Sequence, residues 1–175
     1  MDMIGRSSEG AIDMVKKKLE TLKDMMNANI DLARMMRDDG MEVEASIMVK
    51  DHGGQVDLMN VSVLTSNKDA LSSFIKQIGA DPRTDAIVFM CEAWVTKIDV
   101  KTKKPSERTE VVNIIGETAD GEGYHVYAPI VDGKMGEPEW MEIGKETQHQ
   151  GRLANFFSER KKSSKDDKDW NYYIG

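Results

Sequence analysis

The chain has 175 residues, a net charge of −7 and 31% charged residues, and it contains no apolar run of the roughly 18 residues that a membrane span requires. These properties predict one soluble domain, with or without appendages, that does not bind membranes or bind nucleic acid broadly, because phosphate neutralisation requires clustered lysine and arginine. Cys91 is the single cysteine, which excludes an intrachain disulfide and a thiolate metal cluster from one chain.

The N-terminal segment predicts a long amphipathic helix. It lacks a basic stretch followed by an apolar one, so we expect no secretory signal and a cytoplasmic location. Ser7 or Ser8 can cap a helix over residues 9–37, and Gly40 follows it. Such a helix is on the order of 45 Å long, so either it lies along a long sheet or part of its stripe meets another subunit. Asn29 is the polar position of a stripe formed by Ile12, Val15, Leu19, Leu22, Met26, Ala33 and Met36.

An antiparallel hairpin and a short helix are predicted next. Residues 41–50 alternate between apolar and polar side chains, which is typical of a strand with one solvated face. Residues 51–54 form a glycine-containing turn, and 55–64 return as the second strand. Ser66 can cap a helix that Gly79 ends. The apolar stripe of that helix is Leu71, Phe74, Ile75 and Ile78.

The longest predicted strand covers residues 86–98. It is about 43 Å long, which matches the first helix and favours packing of that helix on the sheet. Cys91 lies within its apolar first half, where a buried, unreactive thiol is the common case. Three further strands and a short helix are predicted at 109–118, 124–131, 139–143 and 150–160.

Together these elements predict an α+β fold. The order αββαββββα, with hairpin connections, indicates a mostly antiparallel sheet of about six strands, with the long N-terminal helix packed on it and helices on one face. Residues 1–160 form the predicted domain. Residues 161–175 are a charged tether with an aromatic tail, which either docks back, on this subunit or on a second one, or binds a protein partner. The tail residues concerned are Trp170, Tyr172, Tyr173 and Ile174.

Common catalytic and metal-binding patterns are missing from the sequence. The glycines of 53–54 and 121–123 lie in predicted hairpin turns, so they do not predict a phosphate-binding loop. No Gly-x-Ser-x-Gly turn supports a serine nucleophile. The three histidines do not stand at metal-ligand spacing, and no metal or cofactor is expected. His52 is expected in a turn, and His125 is expected to point outward from its strand.

Glu92 is the candidate functional residue, because this carboxylate stands between Met90 and Trp94 on one face of the long strand. A buried carboxylate without a partner is strongly unfavourable or becomes protonated. Glu92 therefore pairs with a cation of a neighbouring strand, emerges into solvent, or lines a ligand pocket. If 99–108 close a hairpin in which opposite residue numbers sum to about 207, Asn113 lies near Trp94 and within about 8 Å of Glu92. Glu92, Trp94 and Asn113 are then the pocket candidates.

Three short segments resemble a family of uncharacterised proteins from prokaryotes and their phages. The segments are 91–94 (Cys-Glu-Ala-Trp), 104–110 (Lys-Pro-Ser-Glu-Arg-Thr-Glu) and 114–117 (Ile-Ile-Gly-Glu). The family has a Glu-Ala-Trp strand, a Pro-Ser loop, an Arg-x-Glu motif and a second apolar strand. The resemblance covers roughly thirty of the 175 residues and implies no activity.

These observations favour a non-enzymatic binding or assembly protein that forms a homodimer. Methionines at 25–26, 35–36 and 41 crowd the first helix and its exit, which is typical of core packing and also of adaptable partner surfaces. The first alternative is a small enzyme or small-molecule binder that uses the three pocket candidates. The second is a nucleic-acid accessory protein that uses the basic loop 101–108, although the net charge disfavours nucleic acid as a partner.

Overall fold

A computed structural model describes residues 19–99, 101–143 and 155–160, with the side chains of residues 97, 98, 106 and 107 left undescribed. It has the α+β fold that the sequence predicts, with a curled antiparallel sheet and few helices. The described elements are α1 (Leu22–Asp38), β1 (Ser46–Asp51), β2 (Val56–Asn60), a 3₁₀ turn (Ser62–Leu64), α2 (Lys68–Ala80), β3 (Thr84–Ile98), β4 (Pro105–Thr118), β5 (Gly123–Val131), β6 (Lys134–Met135) and β7 (Glu139–Glu142).

The seven described strands form one sheet in the order β2-β1-β3-β4-β5-β6, and β7 also pairs with β5. All pairings are antiparallel. The chain crosses from edge strand β2 through α2 to β3, and hairpins then add β4 and β5 in sequence order. β6 adds a two-residue strand that the sequence pattern did not predict, because so short a segment has no periodicity.

Helix α1 begins later than predicted. Residues 19–21 are not helical, so a continuous helix over 9–37 is wrong, and residues 1–18 lie outside the described part of the chain. Thr21 accepts a hydrogen bond from the backbone N–H of Asp24, and the Asp24 carboxylate accepts one from the backbone N–H of Thr21, both at 3.1 Å. This reciprocal capping box sets the start of the helix.

Helix α1 packs on one face of the sheet, which we call the α1 face. Met25, Met26 and Ala33 are fully buried there, against strand residues such as Val88. Asn29 is also fully buried, and its Nδ2 donates to the carbonyl oxygen of Met25 at 2.8 Å. The polar position of the stripe therefore faces the sheet, and the first of the two predicted arrangements, a helix lying along the sheet, is the one observed.

Helix α2 packs on the opposite face, the α2 face, so the expectation of helices on one face only is wrong. Asn67, not Ser66, caps α2 by accepting a hydrogen bond from the backbone N–H of Ala70 at 3.1 Å. Gly79 lies inside the last turn and does not end the helix. The buried residues of this face include Ile47, Leu71, Ile75, Phe89, Phe156 and Phe157.

Strands β3 and β4 extend beyond the rest of the sheet. The ladder with β1 ends at the pair Ser46 and Met90, and the ladder with β5 ends at the pair Val111 and Pro129. The β3–β4 ladder continues from the pair Trp94 and Glu110 to the pair Ile98 and Pro105. We call this two-stranded extension, residues 94–98 and 105–110 with the turn between them, the arm.

Parts of the predicted organisation lie outside the described residues. They include the aromatic tail with Trp170, Tyr172, Tyr173 and Ile174, and residues 150–154 of the helix predicted at 150–160, of which residues 158–160 are helical. Docking of the tail therefore stays a prediction. None of the described helices is long and apolar enough to cross a membrane.

Candidate functional site

Glu92 lies on the α1 face of β3, where it is paired. Its side chain is 15% exposed, and its Oε1 lies 3.1 Å from Nη1 of Arg37. The same oxygen accepts a hydrogen bond from the backbone N–H of Val43 at 2.8 Å. The sequence suggested a cation on a neighbouring strand, but the cation belongs to the last turn of α1.

The local sequence explains why these groups meet. Arg37 is in the last turn of α1, where the helix dipole favours a cation. Gly40 has a φ of 73°, in the left-handed region that glycine adopts readily, so the chain reverses there. Residues 41–45 then return beside β3 and bring Val43 to Glu92. Nε of Arg37 also donates to the carbonyl oxygen of Gly133 at 3.0 Å. We call the Arg37–Glu92–Val43 contact the clamp.

A second carboxyl group adjoins the clamp. Glu110 is opposite Trp94 in the ladder and diagonal to Glu92 on the same face. Partial burial and a hydrogen bond to Glu92 raise the pKa of Glu110, and Arg37 opposes this rise. Because Arg37 and the N–H of Val43 both engage Glu92, this arrangement is suited to holding three segments together.

Trp94 lies farther along the same face and is 60% exposed. The guanidinium carbon of Arg108 lies 5.5 Å from the centre of the Trp94 ring, which is within the range of a cation–π contact. The indole is therefore an open surface at the base of the arm and does not form the wall of a closed pocket.

Asn113 lies on the α2 face, away from Glu92 and Trp94. The observed ladder pairs Cys91 with Asn113, so opposite residue numbers sum to 204 and the expected register near 207 is wrong. The two registers differ by an odd number of residues, and an odd shift moves every side chain of a strand to the other face. The structure therefore brings Glu92 and Trp94 together but separates them from Asn113.

Asn113 belongs instead to a polar row on the α2 face. Its side chain hydrogen-bonds to the Cys91 thiol, and its Oδ1 accepts a short hydrogen bond from Nε2 of His125. The ring of His125 lies 4.0 Å from that of Tyr127. His125 is only 5% exposed, so the expectation that it points outward is wrong. The amide stands between the thiol and the imidazole, which prevents direct proton transfer between them.

Cys91 is predicted to react slowly. Burial raises the pKa of its thiol to about 11. Since the thiolate is the reacting form, we expect a disulfide reagent at pH 8 to label the native protein roughly 100-fold more slowly than the denatured protein. The raised pKa also predicts stability that is intact below about pH 9 and is lost as the pH rises toward 11. Equal labelling rates in native and denatured protein would show an accessible thiol with an ordinary pKa and would contradict this prediction.

Of the other two histidines, only His52 lies in the described part of the chain. His52 lies in the turn after β1 and forms a short ion-pair contact with Asp85, and His149 lies outside the described residues. Within the described residues, no group of three or more His, Cys, Asp or Glu side chains is arranged to hold a metal ion.

Similarity to known proteins does not assign a function. No protein-family model, curated protein or solved structure matches this chain. The resemblance of 91–94, 104–110 and 114–117 to uncharacterised prokaryotic and phage proteins therefore stays a prediction. Function must be inferred from the contacts described above.

Sequence reasoning missed Arg37, Arg108 and Glu110, the charged neighbours of Glu92 and Trp94. A cation in the last helical turn before Gly40 is a recognisable end signal, but it does not reveal which carboxylate it meets 55 positions later. Arg108 and Glu110 share a face with Trp94 in the observed register but not in the expected one. Once that register is known, the position of both residues beside Trp94 can be predicted.

Proposed function

We propose that the protein is a non-enzymatic binding or assembly protein that self-associates, and that the arm carries the contact. The supporting observation is the arm itself, which extends past the ladders with β1 and β5 and exposes Trp94 at its base. At about 3.4 Å per residue, its five-residue β3 segment is on the order of 17 Å long.

A partner strand would stabilise the arm. A two-stranded ribbon is at best marginally stable in water, and three or more strands are needed for independent stability. Beyond the two ladder ends, each arm strand presents N–H and C=O groups that no described strand pairs, and such edges are templates for another chain. A second copy offers the same edge, so pairing of two arms gives one strand of each arm a partner.

The side chains at the base of the arm suit an interface. Trp94 is 60% exposed there and Arg108 covers part of the indole, and Met41, in the segment after Gly40, is 53% exposed. Tryptophan, methionine and arginine are the residue types enriched at protein interfaces, and tryptophan and arginine are enriched among the residues that dominate binding energy. The carbonyl oxygen of Met41 lies 3.5 Å from Nη1 of Arg37, so this surface borders the clamp.

A two-fold dimer accounts for the unpaired edge and for the exposed side chains at the base of the arm. Antiparallel pairing of one arm with its copy is isologous, because the same edge is used by both subunits. The stripe of α1 supports the interface less well, since Asn29 and its apolar neighbours are buried against the sheet.

Trp94→Ala is expected to weaken self-association about 30-fold, because truncation of a central tryptophan typically costs 2 kcal/mol or more of binding free energy. Sedimentation equilibrium of wild type and variant measures this change. Val63→Ala is the matched control, since Val63 is 85% exposed on the 3₁₀ turn and is not part of the arm. Equal association constants for wild type, Trp94→Ala and Val63→Ala would refute the arm as the contact.

Nucleic acid is a second candidate partner, favoured by one observation. Lys101, Lys103 and Lys104 are exposed at the turn of the arm, and two-stranded ribbons can enter a groove of DNA. The net charge of −7 opposes this alternative. Binding to a DNA or RNA duplex that weakens steeply from low to moderate salt, and is lost when the three lysines are replaced by glutamine, would support it. Flat binding across that salt range would refute it.

A further inference from the structure

A cleft separate from the arm lies between α1 and the β5–β7 hairpin. It has a volume of about 450 Å³ and is lined by Lys23, Asn27, Tyr124, Trp140 and Glu142. We propose that this cleft binds a small organic cation with an alkylated ammonium head group. This inference does not depend on self-association.

Two aromatic rings form a corner of the cleft. The centres of Tyr124 and Trp140 are 5.9 Å apart, and the ring planes meet at 74°. Tyr124 stands on β5, two positions from the strand partner of Trp140. Both rings line the cleft in this edge-to-face arrangement, and aromatic rings are the groups that recognise quaternary ammonium ions.

Carboxylates make this corner electronegative. Glu142 lines the cleft and is the ladder partner of Tyr124. Glu122 accepts a hydrogen bond from the Tyr124 hydroxyl at 3.0 Å. Donation of that proton toward a carboxylate increases the electron density of the phenol ring, so the ring attracts a cation more strongly.

An internal cation already occupies one ring face. Nζ of Lys23 lies 5.1 Å from the centre of the Tyr124 ring. Lys23 is the second residue of α1, and a positive charge in the first turn is disfavoured by the helix dipole. A ligand cation competes with this ammonium for the ring face, and Lys23 would move into solvent when the ligand binds.

The dimensions favour a small molecule as the source of the cation. Clefts of roughly 300–1,000 Å³ are typical of small-molecule sites, and this one lies within that range. Trimethylammonium groups cannot donate hydrogen bonds, so aromatic faces and a nearby carboxylate bind them more effectively than hydrogen-bond acceptors alone.

Choline is the probe that tests this proposal. Isothermal titration should detect choline binding to the full chain, and should detect no binding of 3,3-dimethyl-1-butanol, which has the same shape without the charge. Lys23→Ala should tighten choline binding about 3-fold by freeing the ring, and Glu142→Gln and Trp140→Leu should each weaken it about 5-fold. Glu139→Gln is the matched control, because Glu139 lies on the same strand but opposite Tyr127, on the other face.

Several outcomes would overturn the proposal. No choline binding to wild type or to Lys23→Ala would do so, as would equal binding of the neutral alcohol. Binding of a lysine- or arginine-containing peptide without binding of choline would overturn the small-molecule assignment. Equal weakening by Glu139→Gln and Glu142→Gln would place the effect in overall charge and not in the cleft.

Discussion

Glu92→Leu is expected to lower the free energy of unfolding by about 2–4 kcal/mol, because removing one partner of a largely buried ion pair leaves the other without compensation. Arg37 would keep its contact with the carbonyl oxygen of Gly133 but lose its carboxylate. The backbone N–H of Val43 would lose its acceptor as well. Urea unfolding followed by circular dichroism measures the change.

A double-mutant cycle separates the clamp from loss of packing. Arg37→Met should also destabilise the protein, but the double variant should lose less than the sum of the two single variants, since neither charge is then buried alone. Arg83→Met is the matched control, because Arg83 pairs with Asp81 at the surface, where its side chain is 82% exposed. The urea concentration at the midpoint of unfolding of Arg83→Met should stay near that of wild type.

The opposite results would contradict this account of Glu92. If Glu92→Leu is as stable as wild type, the clamp does not hold the end of α1 and the start of β1 against β3. If the two single effects simply add, Arg37 and Glu92 act independently and the 3.1 Å contact contributes nothing.

Gly79→Ala is expected to destabilise the protein by about 3 kcal/mol, although alanine is favoured over glycine within a helix by about 1 kcal/mol. A Cβ at this position would lie 2.0 Å from the backbone oxygen of Phe156 and 2.8 Å from its carbonyl carbon. Backbone atoms cannot rotate away as a side chain can, so residues 155–160 would be displaced from α2. Thermal unfolding measures the loss.

The mechanism of the Gly79 effect can be tested with two further variants. Phe156→Ala removes a side chain that is 1% exposed, and its effect should not add to that of Gly79→Ala if both release the same segment. Gly116→Ala is the matched control, because the nearest atoms there are the ends of the flexible Met26 and Leu22 side chains. A larger loss for Gly116→Ala than for Gly79→Ala would contradict this explanation.

The sequence predicts the fold class because the central strands bury apolar side chains. The alternation over 41–50 locates β1, although the ladder begins only at Ser46. The apolar run over 86–98 locates β3 with an error of two residues at its start. Burial on two faces also explains the continuous apolar first half of β3, since α1 covers one side and α2 the other.

The register of the β3–β4 hairpin was not predictable from alternation alone. The side chains of both strands alternate between the two faces in either register. The turn therefore decides which side chains of one strand share a face with which side chains of the other. Lys103 adopts a φ of 54°, and the ladder is irregular between Thr96 and Ile98. These local features set the observed pairing, which brings Glu110 to Trp94 and moves Asn113 to the α2 face.

The start of α1 was predictable in part. Thr21 and Asp24 have the spacing of a capping box, which indicates a helix start within the longer apolar stripe. The stripe alone favoured a single helix because its spacing continues through Leu19, which is buried but not helical. The partner of Glu92 was not predictable, since a contact over 55 positions depends on the path of the chain after Gly40.

Self-association through the arm is the central claim, and the mass of the wild-type chain in solution tests it most directly. Sedimentation equilibrium across micromolar concentrations should give a mass that rises with concentration from one chain to two, since a two-fold contact joins one edge of each arm. A mass of one chain at high micromolar concentration would contradict the claim.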